Sequence, residues 1–340
     1  MISDKEEPYI SVIITAHNRK EFLKDAINSV LNQTFEKSFY EIIVIKNFED
    51  QEIDNLIDEN KIISLKTRDD SLIGEDLALG IERAKGEVIS FLDDDDLFMP
   101  KKLETVYNYF KKYENLVYLH NSEYFIDEKG NPTRFWVKDL NEDVVLNHVK
   151  DLNILSKLRI YGLFFNMSSI SVRKNKILPY LENLKKINSN QDDFVFFISL
   201  YKFPNLSILL KQKLTKYRIH QSTTVFKNID KNVFVNKQIK SLENYINNRN
   251  FIMNLIKDDK LLSSFLYFLI IDKKLQLYFI KKIHIDCNDI IFYFNISIKS
   301  ANKNYIKNNF YYISLLLLSK LFYKKINEYY VNRLFKFYNP

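Results

Sequence analysis

Apolar positions along the first 120 residues fall into short runs separated by segments of helical period. The runs Ile10–Thr15, Glu41–Ile45, Ile62–Leu65, Val88–Leu92 and Leu116–Leu119 read as strands. Between them the spacing predicts a helix over Lys20–Asn32, with Phe22, Leu23, Ala26, Ile27, Val30 and Leu31 on one stripe and Asn18 as its cap. A second helix is expected over Gly74–Lys85, ended by Gly86, and a third over Lys101–Lys112, whose first turn suits Pro100. Strands alternating with helices predict an α/β domain built on a mostly parallel sheet with crossover helices. From Asn121 to about Thr224 the pattern loosens into short strands and turns, with one helix over Asp192–Tyr201. Beyond Asn228, Ile239, Leu242, Ile246, Met253 and Ile256 recur at helical spacing, and the remainder reads as an α-helical region. Two domains are therefore expected, one at 1–228 and a helical one at 229–340.

Composition narrows the class. With 46% hydrophobic residues, 15% aromatic, 5 Gly and a single Cys among 340, the chain is too apolar for disorder and cannot be a disulfide scaffold. The net charge of +7 is unevenly spread, the first 200 residues being acidic and the last 140 strongly basic. That asymmetry suggests two jobs, one facing a polyanion or an anionic membrane surface. The apolar blocks at 261–271 and 310–318 are shorter than the ~18 to 20 residues a spanning helix needs. The lone Cys287 and the polar, acidic start MISDKEEP fit a cytoplasmic protein.

The chemistry is concentrated in AKGEVISFLDDDDLFMP, Ala84–Pro100, where an apolar strand runs directly into Asp93, Asp94, Asp95 and Asp96. Open α/β sheets bind ligands at the carboxyl ends of their strands. Adjacent carboxylates there repel unless a cation is present, and an all-oxygen cluster suits Mg²⁺ or Mn²⁺, which in turn suits substrate phosphates. The bland alternative is a solvated acidic loop whose Asp96 caps the next helix.

Together, ISVIITAHNRKEFLKDAINSVLNQT, the spacing to EIIVI, AKGEVISFLDDDD and LFMPKKLE resemble a family 2 glycosyltransferase of the GT-A (Rossmann-like) fold over roughly residues 9–225. The resemblance implies an inverting enzyme that uses a nucleotide-diphospho-sugar donor and a divalent metal, with a nucleotide-binding half at 9–120 and an acceptor half at 121–228. It implies that Thr15, Ala16, His17 and Arg19 wrap the nucleotide, with Asp93 and Asp94 beside it. Asp95 and Asp93 would hold the metal, with His220 completing the shell. In QDDFVFF, Asp193 matches the catalytic base and Asp192 its orienting neighbour, although two acids in a first helical turn also offset the helix dipole. Trp136, His120 and Asn121 would line the acceptor side.

Two departures stand out. Asn47 occupies the place of the carboxylate that reads the base and is expected to bind the nucleotide there, since its amide can still hydrogen-bond a base edge; Leu77 and Ala78 replace an Arg-Asn pair before Gly80, leaving Lys46 as a substitute phosphate charge and Arg218 as a further phosphate ligand. A degenerate member that binds nucleotide sugar without transferring it is the competing reading. A phosphohydrolase is disfavoured because its acidic pair would follow the first strand, and nucleic-acid binding because the basic tail carries no recognition motif. The expected acceptor is a glycan or lipid-linked sugar. The basic helices are expected either to make peripheral contact with the inner membrane surface or to pack as core, including against a second copy of the chain in a homo-oligomer.

Overall fold

The computed structural model describes residues 7–135, 137–147, 152–202, 206–220, 230–299 and 303–338. In chain order its elements are β1 (Ile10–Ala16), α1 (Leu23–Leu31), β2 (Tyr40–Lys46), α2 (Gln51–Glu59), β3 (Ile63–Lys66), α3 (Ile73–Arg83), β4 (Val88–Asp93), β5 (Leu97–Phe98), α4 (Lys102–Lys112) and β6 (Leu116–Ile126). There follow β7 (Val144–Asn147), α5 (Leu152–Leu158), β8 (Ile170–Arg173), α6 (Lys174–Ile177), α7 (Leu181–Leu184), α8 (Gln191–Leu200) and β9 (Leu206–Arg218). The chain ends with α9 (Lys231–Leu255), α10 (Lys260–Lys281), α11 (Cys287–Lys299) and α12 (Lys303–Tyr338).

The strands form one mixed sheet in the order β3-β2-β1-β4-β8-β6-β9-β5, with β7 added on β9. β1 to β4 are parallel, so their carboxyl ends share one edge, with Thr15 opposite Ile45 and Asp93, and Ala16 opposite Lys46. β1, β2 and β4 are buried along nearly their whole length, as expected of parallel strands covered on both faces. The first four strands fall where the apolar runs put them. The later region holds the short strands β7 and β8 but also the long β6 and β9, which pair in parallel over their length with register shifts near Asn121 and Ser122. Their polar, mixed sequences hide this length, because bulges break the two-residue alternation.

Two local expectations need correction. α1 begins at Leu23 without a side-chain cap, and Asn18 lies in the left-handed region at φ 54 in the loop before it. α3 ends at Ala84 in extended backbone, so Gly86 is not a left-handed cap. It is required because a Cβ there would lie 2.6 Å from the Ser11 nitrogen of β1.

The described contacts divide into two compact units, Met1–His148 with Ile160–Arg218, and Val149–Arg159 with Ile219–Pro340. This departs from the expected break at 228/229. α5 packs against α10 and α11, and Arg159 just after it makes a 3.0 Å ion pair with buried Asp272 of α10. Tyr293 and Gln276 also donate to Asp272. Burial opposes the charge on Asp272, yet Arg159, Lys273 and these bonds hold its carboxyl below the ordinary value. A sequence-local reading cannot see that an eleven-residue excursion belongs to a helical cluster built ~100 residues later. Among the described residues, no helix is long and apolar enough to cross a membrane.

In the sheet unit, Gly74 at the start of α3 donates to the Ile187 carbonyl at 3.0 Å, and a Cβ there would sit 1.9 Å from the Leu184 carbonyl oxygen. Backbone cannot yield as a flexible side chain does. Gly74→Ala is therefore expected to destabilise the protein by about 2 kcal/mol or more, measured as a lowered urea midpoint with unchanged slope.

Candidate active site

β4 delivers Asp93 to the shared edge of the parallel strands, and the turn that follows folds Asp95 and Asp96 back beside it. Oxygens of Asp93, Asp95 and Asp96 all lie within 4.8 Å of one another. Asp94, Asp95 and Asp96 are buried and Asp93 is partly so. Arg19 from the β1–α1 loop grips the run: its Nε donates to Asp94 Oδ2 at 3.0 Å, and its Nη2 pairs with Asp94 Oδ1 and, at 2.9 Å, with Asp95 Oδ2. Burial alone would loosen the Arg19 proton, but Asp94, Asp95 and Asp93 tighten it. Arg218, at the end of β9, holds the same turn through both its backbone and its side chain. Its N–H donates to Asp96 Oδ1 at 2.9 Å, and its Nε donates to the Asp95 carbonyl at 2.9 Å.

These contacts leave charge uncompensated. Burial, then repulsion from Asp95 and Asp94, pushes Asp93 up to about 8. Asp96 is driven well above its usual range by the same two causes, burial and then Asp95 and Asp93, which outweigh its hydrogen bonds with the Ser168 side chain and the Arg218 N–H. An oxygen-only group that resists ionising until positive charge arrives has the donor chemistry of a hard divalent-cation site.

Beneath the acidic turn runs a buried polar layer that the pattern along the chain did not reveal. The Asp93 N–H donates to Ser168 Oγ at 3.0 Å. The Ser168 carbonyl accepts from Lys102 Nζ at 3.3 Å and from Thr215 Oγ1 at 3.0 Å. Lys102 also donates to Asn121 Oδ1 and lies over the Phe98 ring. Burial pulls the Lys102 amine down to about 7, against the nearby Glu123 charge, and pushes the Glu123 carboxyl up to about 8. His120 donates through Nε2 to the Phe165 carbonyl at 2.7 Å, and burial lowers it to about 4. The clues were present but weak: Lys102 stands beside Leu103 on a helix whose inner face is otherwise apolar, and Glu123 interrupts a strand.

The expected site residues distribute unevenly. Thr15 and Ala16 are buried where β1 meets β4 and β2, and His17 Nδ1 lies 3.8 Å from Asp76 Oδ2. Arg19 is drawn to the carboxylates. Asn47 spends its amide on Asn18, accepting from the Asn18 N–H at 2.8 Å and donating to Asn18 Oδ1 at 2.9 Å. Asp192 and Asp193 open α8; Asp192 is near enough to Asp93 to raise its proton affinity, and Asp193 is 1% exposed. Asn121 and His120 are interior members of the polar layer, saturated or desolvated there, so they do not offer an acceptor surface. Lys46 turns to Asp54 at 2.8 Å and to the Phe48 carbonyl, away from a phosphate role, and Arg218 is held within the acidic turn. His220 belongs to the second unit and is not among the grouped carboxylate ligands. Trp136 lies outside the described residues.

Residues 11–203 match the family model described as glycosyl transferase family 2. The chain belongs to this family. An uncharacterized glycosyltransferase of Methanocaldococcus jannaschii is 28% identical over 248 residues, covering 64% of this chain and 80% of that protein. The poly(ribitol-phosphate) beta-N-acetylglucosaminyltransferase TarP of Staphylococcus aureus is 30% identical over 207 residues, covering 58% of this chain and 59% of that protein. In fold, S. aureus TarS 1–349 in complex with UDP superposes with a TM-score of 0.54 at 13% identity, covering 97% of this chain and 90% of that one. The sheet unit is thus a GT-A glycosyltransferase domain, followed by helices.

In this glycosyltransferase the buried layer carries a pH signature. Unfolded, His120 takes up a proton as pH falls through about 6.5; folded, it does so only near 4, so stability contributed by its neutral form is present above 6.5 and lost below. His120→Gln should be less stable than wild type at pH 7.5, and that deficit should shrink as pH is lowered towards 4, in denaturation series across that range.

Proposed function

We propose that this family 2 glycosyltransferase moves a sugar from a nucleoside-diphosphate donor to an acceptor hydroxyl, with inversion and with help from a divalent cation. The observation that carries the reading is the set of oxygens from Asp93, Asp95 and Asp96 within 4.8 Å of one another at the carboxyl end of β4. Those three residues would hold Mn²⁺ or Mg²⁺, a fit supported by the hard, all-oxygen donor set and by the carboxylate repulsion that raises Asp93 and Asp96. Once bound, such a cation neutralises charge that develops on the departing diphosphate. Asp193 takes the acceptor proton as the hydroxyl oxygen attacks the anomeric carbon, and Asp192, whose charge reaches Asp93, orients the two halves of the site. Thr15, Ala16 and His17 lie along the path of the nucleoside, and Asp94 keeps Arg19 at its phosphate end. The UDP in the TarS structure supports a nucleoside-diphosphate donor, and TarP's acetylglucosaminyl transfer supports an aminosugar as the first one to try.

Asp95→Ala is expected to abolish Mn²⁺-dependent nucleotide binding in calorimetry, because too few ligands remain to replace the ion's water. Asp193→Asn should bind donor normally while transfer falls at least ~100-fold. An inactive Asp192→Asn beside an active Asp193→Asn would reverse the two roles.

The acceptor we place at a membrane surface. The helical α12 bends at Phe322, where the backbone leaves the helical region (φ −133, ψ 44), and Leu317, Leu318, Leu321 and Phe322 are exposed there beside exposed Lys324 and Lys325. Apolar side chains flanked by lysines suit the headgroup boundary of an anionic bilayer, at about 1 kcal/mol per lysine. Full-length protein should float with anionic liposomes at low salt and be released at high salt. Protein that stays unbound, or that instead buries this face in a dimer in sedimentation runs, removes the membrane role.

A further inference from the structure

β4 and β8 pair antiparallel, with Val88 opposite Arg173, Ile89 opposite Val172 and Ser90 opposite Ser171, and there the ladder ends. Carried three residues further, the same register would set Asp93 opposite Ser168, and the two do meet: the Asp93 N–H donates to Ser168 Oγ at 3.0 Å. The acceptor is a side-chain hydroxyl where a continued ladder would supply a backbone carbonyl. The difference is chemical, because a carbonyl only accepts whereas a hydroxyl also has a hydrogen to give. Ser168 gives it to the Asp96 carboxylate, and Asp96 Oδ1 accepts from the Arg218 N–H at 2.9 Å. One oxygen atom thus spans the first and last residues of the acidic turn. It is not what keeps β8 on β4, a task done by the backbone ladder and by the 2.7 Å bond between the Ser90 and Ser171 hydroxyls.

The chain leaves strand geometry to present that hydroxyl. Asn166 is held at φ 68, ψ 109, a conformation rare for any residue but glycine, and a 3₁₀ turn follows over Met167–Ser169. Asn166 Oδ1 accepts from the Ser168 N–H at 3.0 Å. The Ser168 carbonyl is given to Lys102 Nζ at 3.3 Å and to Thr215 Oγ1 at 3.0 Å. The N–H, carbonyl and hydroxyl of Ser168 are therefore all engaged, at a residue with no exposed surface. Strained backbone persists only where its surroundings over-determine it. Here they over-determine the direction of one hydroxyl.

We propose that Ser168 is a positioning residue of the cation site, its hydroxyl fixing the spacing of Asp93 and Asp96 so that their oxygens converge with those of Asp95 before a cation arrives. It acts through the carboxylates and makes no contact with the cation. The inference rests on the divalent-cation reading above and adds to it a residue 75 positions along the chain from Asp93. Groups that orient metal ligands typically account for roughly 10- to 100-fold of metal affinity.

Mn²⁺ titrated into the full-length chain, alone and with saturating UDP, tests it when the free ion is followed by its electron paramagnetic resonance signal. Ser168→Ala should remain folded and bind Mn²⁺ at least ~10-fold more weakly than wild type. Thr215→Val removes a hydrogen bond to the Ser168 carbonyl and leaves the hydroxyl in place, so it is the control for a merely structural effect. It should lower the melting temperature while Mn²⁺ affinity stays within about threefold of wild type. If Ser168→Ala does not fold, Ser168→Cys, close in size but with a much weaker donor, decides instead and should weaken Mn²⁺ binding by more than about threefold. Wild-type Mn²⁺ affinity in the folded Ser168 variant, or an equal loss in Thr215→Val, overturns the assignment while the cation reading stands. Failure of wild type to bind Mn²⁺ both alone and with UDP sinks the cation reading, and this inference with it.

Discussion

Crowded negative charge at the end of β4 is the constraint to which the rest of the sheet unit answers. Two unit charges 4 Å apart repel by about 4 kcal/mol at an effective dielectric near 20, and oxygens of Asp93, Asp95 and Asp96 lie within 4.8 Å of one another. Left alone, the turn would open to solvent. It is instead closed by groups from three distant segments: Arg19 from the loop after β1, Arg218 from the end of β9, and Ser168 from the turn before β8. Each grips a different part of the run: Arg19 the carboxylates of Asp94 and Asp95, Arg218 the Asp96 carboxylate and the Asp95 carbonyl, and Ser168 the backbone of Asp93. The residual strain sits on Asp93 and Asp96, the two whose protons are hardest to remove.

The buried layer under that turn explains why β6 and β9 are long and irregular. Lys102, Asn121 and Thr215 converge on the Ser168 carbonyl and on one another. Polar groups can be buried only if their partners are supplied, and the register shifts around Asn121 and Ser122 turn those side chains inward together. Burial lowers the Lys102 amine and raises the Glu123 carboxyl, so both are pushed towards their neutral forms, the less costly state for polar groups held away from water.

How much of this was legible follows from the range of the signal. β1 to β4 could be read directly because each is an uninterrupted apolar run, and the acidic turn because its four residues are consecutive. Asp192 and Asp193 were legible by type, but their place relative to Asp93 depends on chain that folds back over ~100 residues. Lys102, Glu123 and Asp76 were not legible: each is a charged residue inside an apolar stripe, and only three-dimensional partners distinguish a buried charge from an ordinary exposed one. Asn47, Lys46, Arg218 and Asn121 have the right chemistry for a ligand and were read that way. The structure spends all four on the protein itself, an outcome that residue type cannot foretell because an amide or a cation serves either end equally well. The excursion through α5 was hidden for a related reason, since Arg159 finds Asp272 more than a hundred residues away.

The same constraint ties ligand binding to stability. Asp93, Asp95 and Asp96 come together only when β4 has its neighbours and the turn before β8 has closed on Asp93, so the donor set does not exist in the unfolded chain. A cation held by these oxygens would stabilise only the folded state, and mass action gives about 2.7 kcal/mol at a hundred times the dissociation constant. It would also relieve the repulsion that keeps Asp93 and Asp96 protonated, releasing protons as it binds. A diphosphate brings negative charge back to the same place. Its arrival is favourable only once the carboxylates are outweighed, so the electrostatics of the turn favour cation first, or cation and nucleotide together, over nucleotide alone. On the proposed function, the unfavourable charge at the end of β4 is what would make the site dependent on a cation, and Arg19, with one guanidinium against two carboxylates, would be insufficient to remove that dependence.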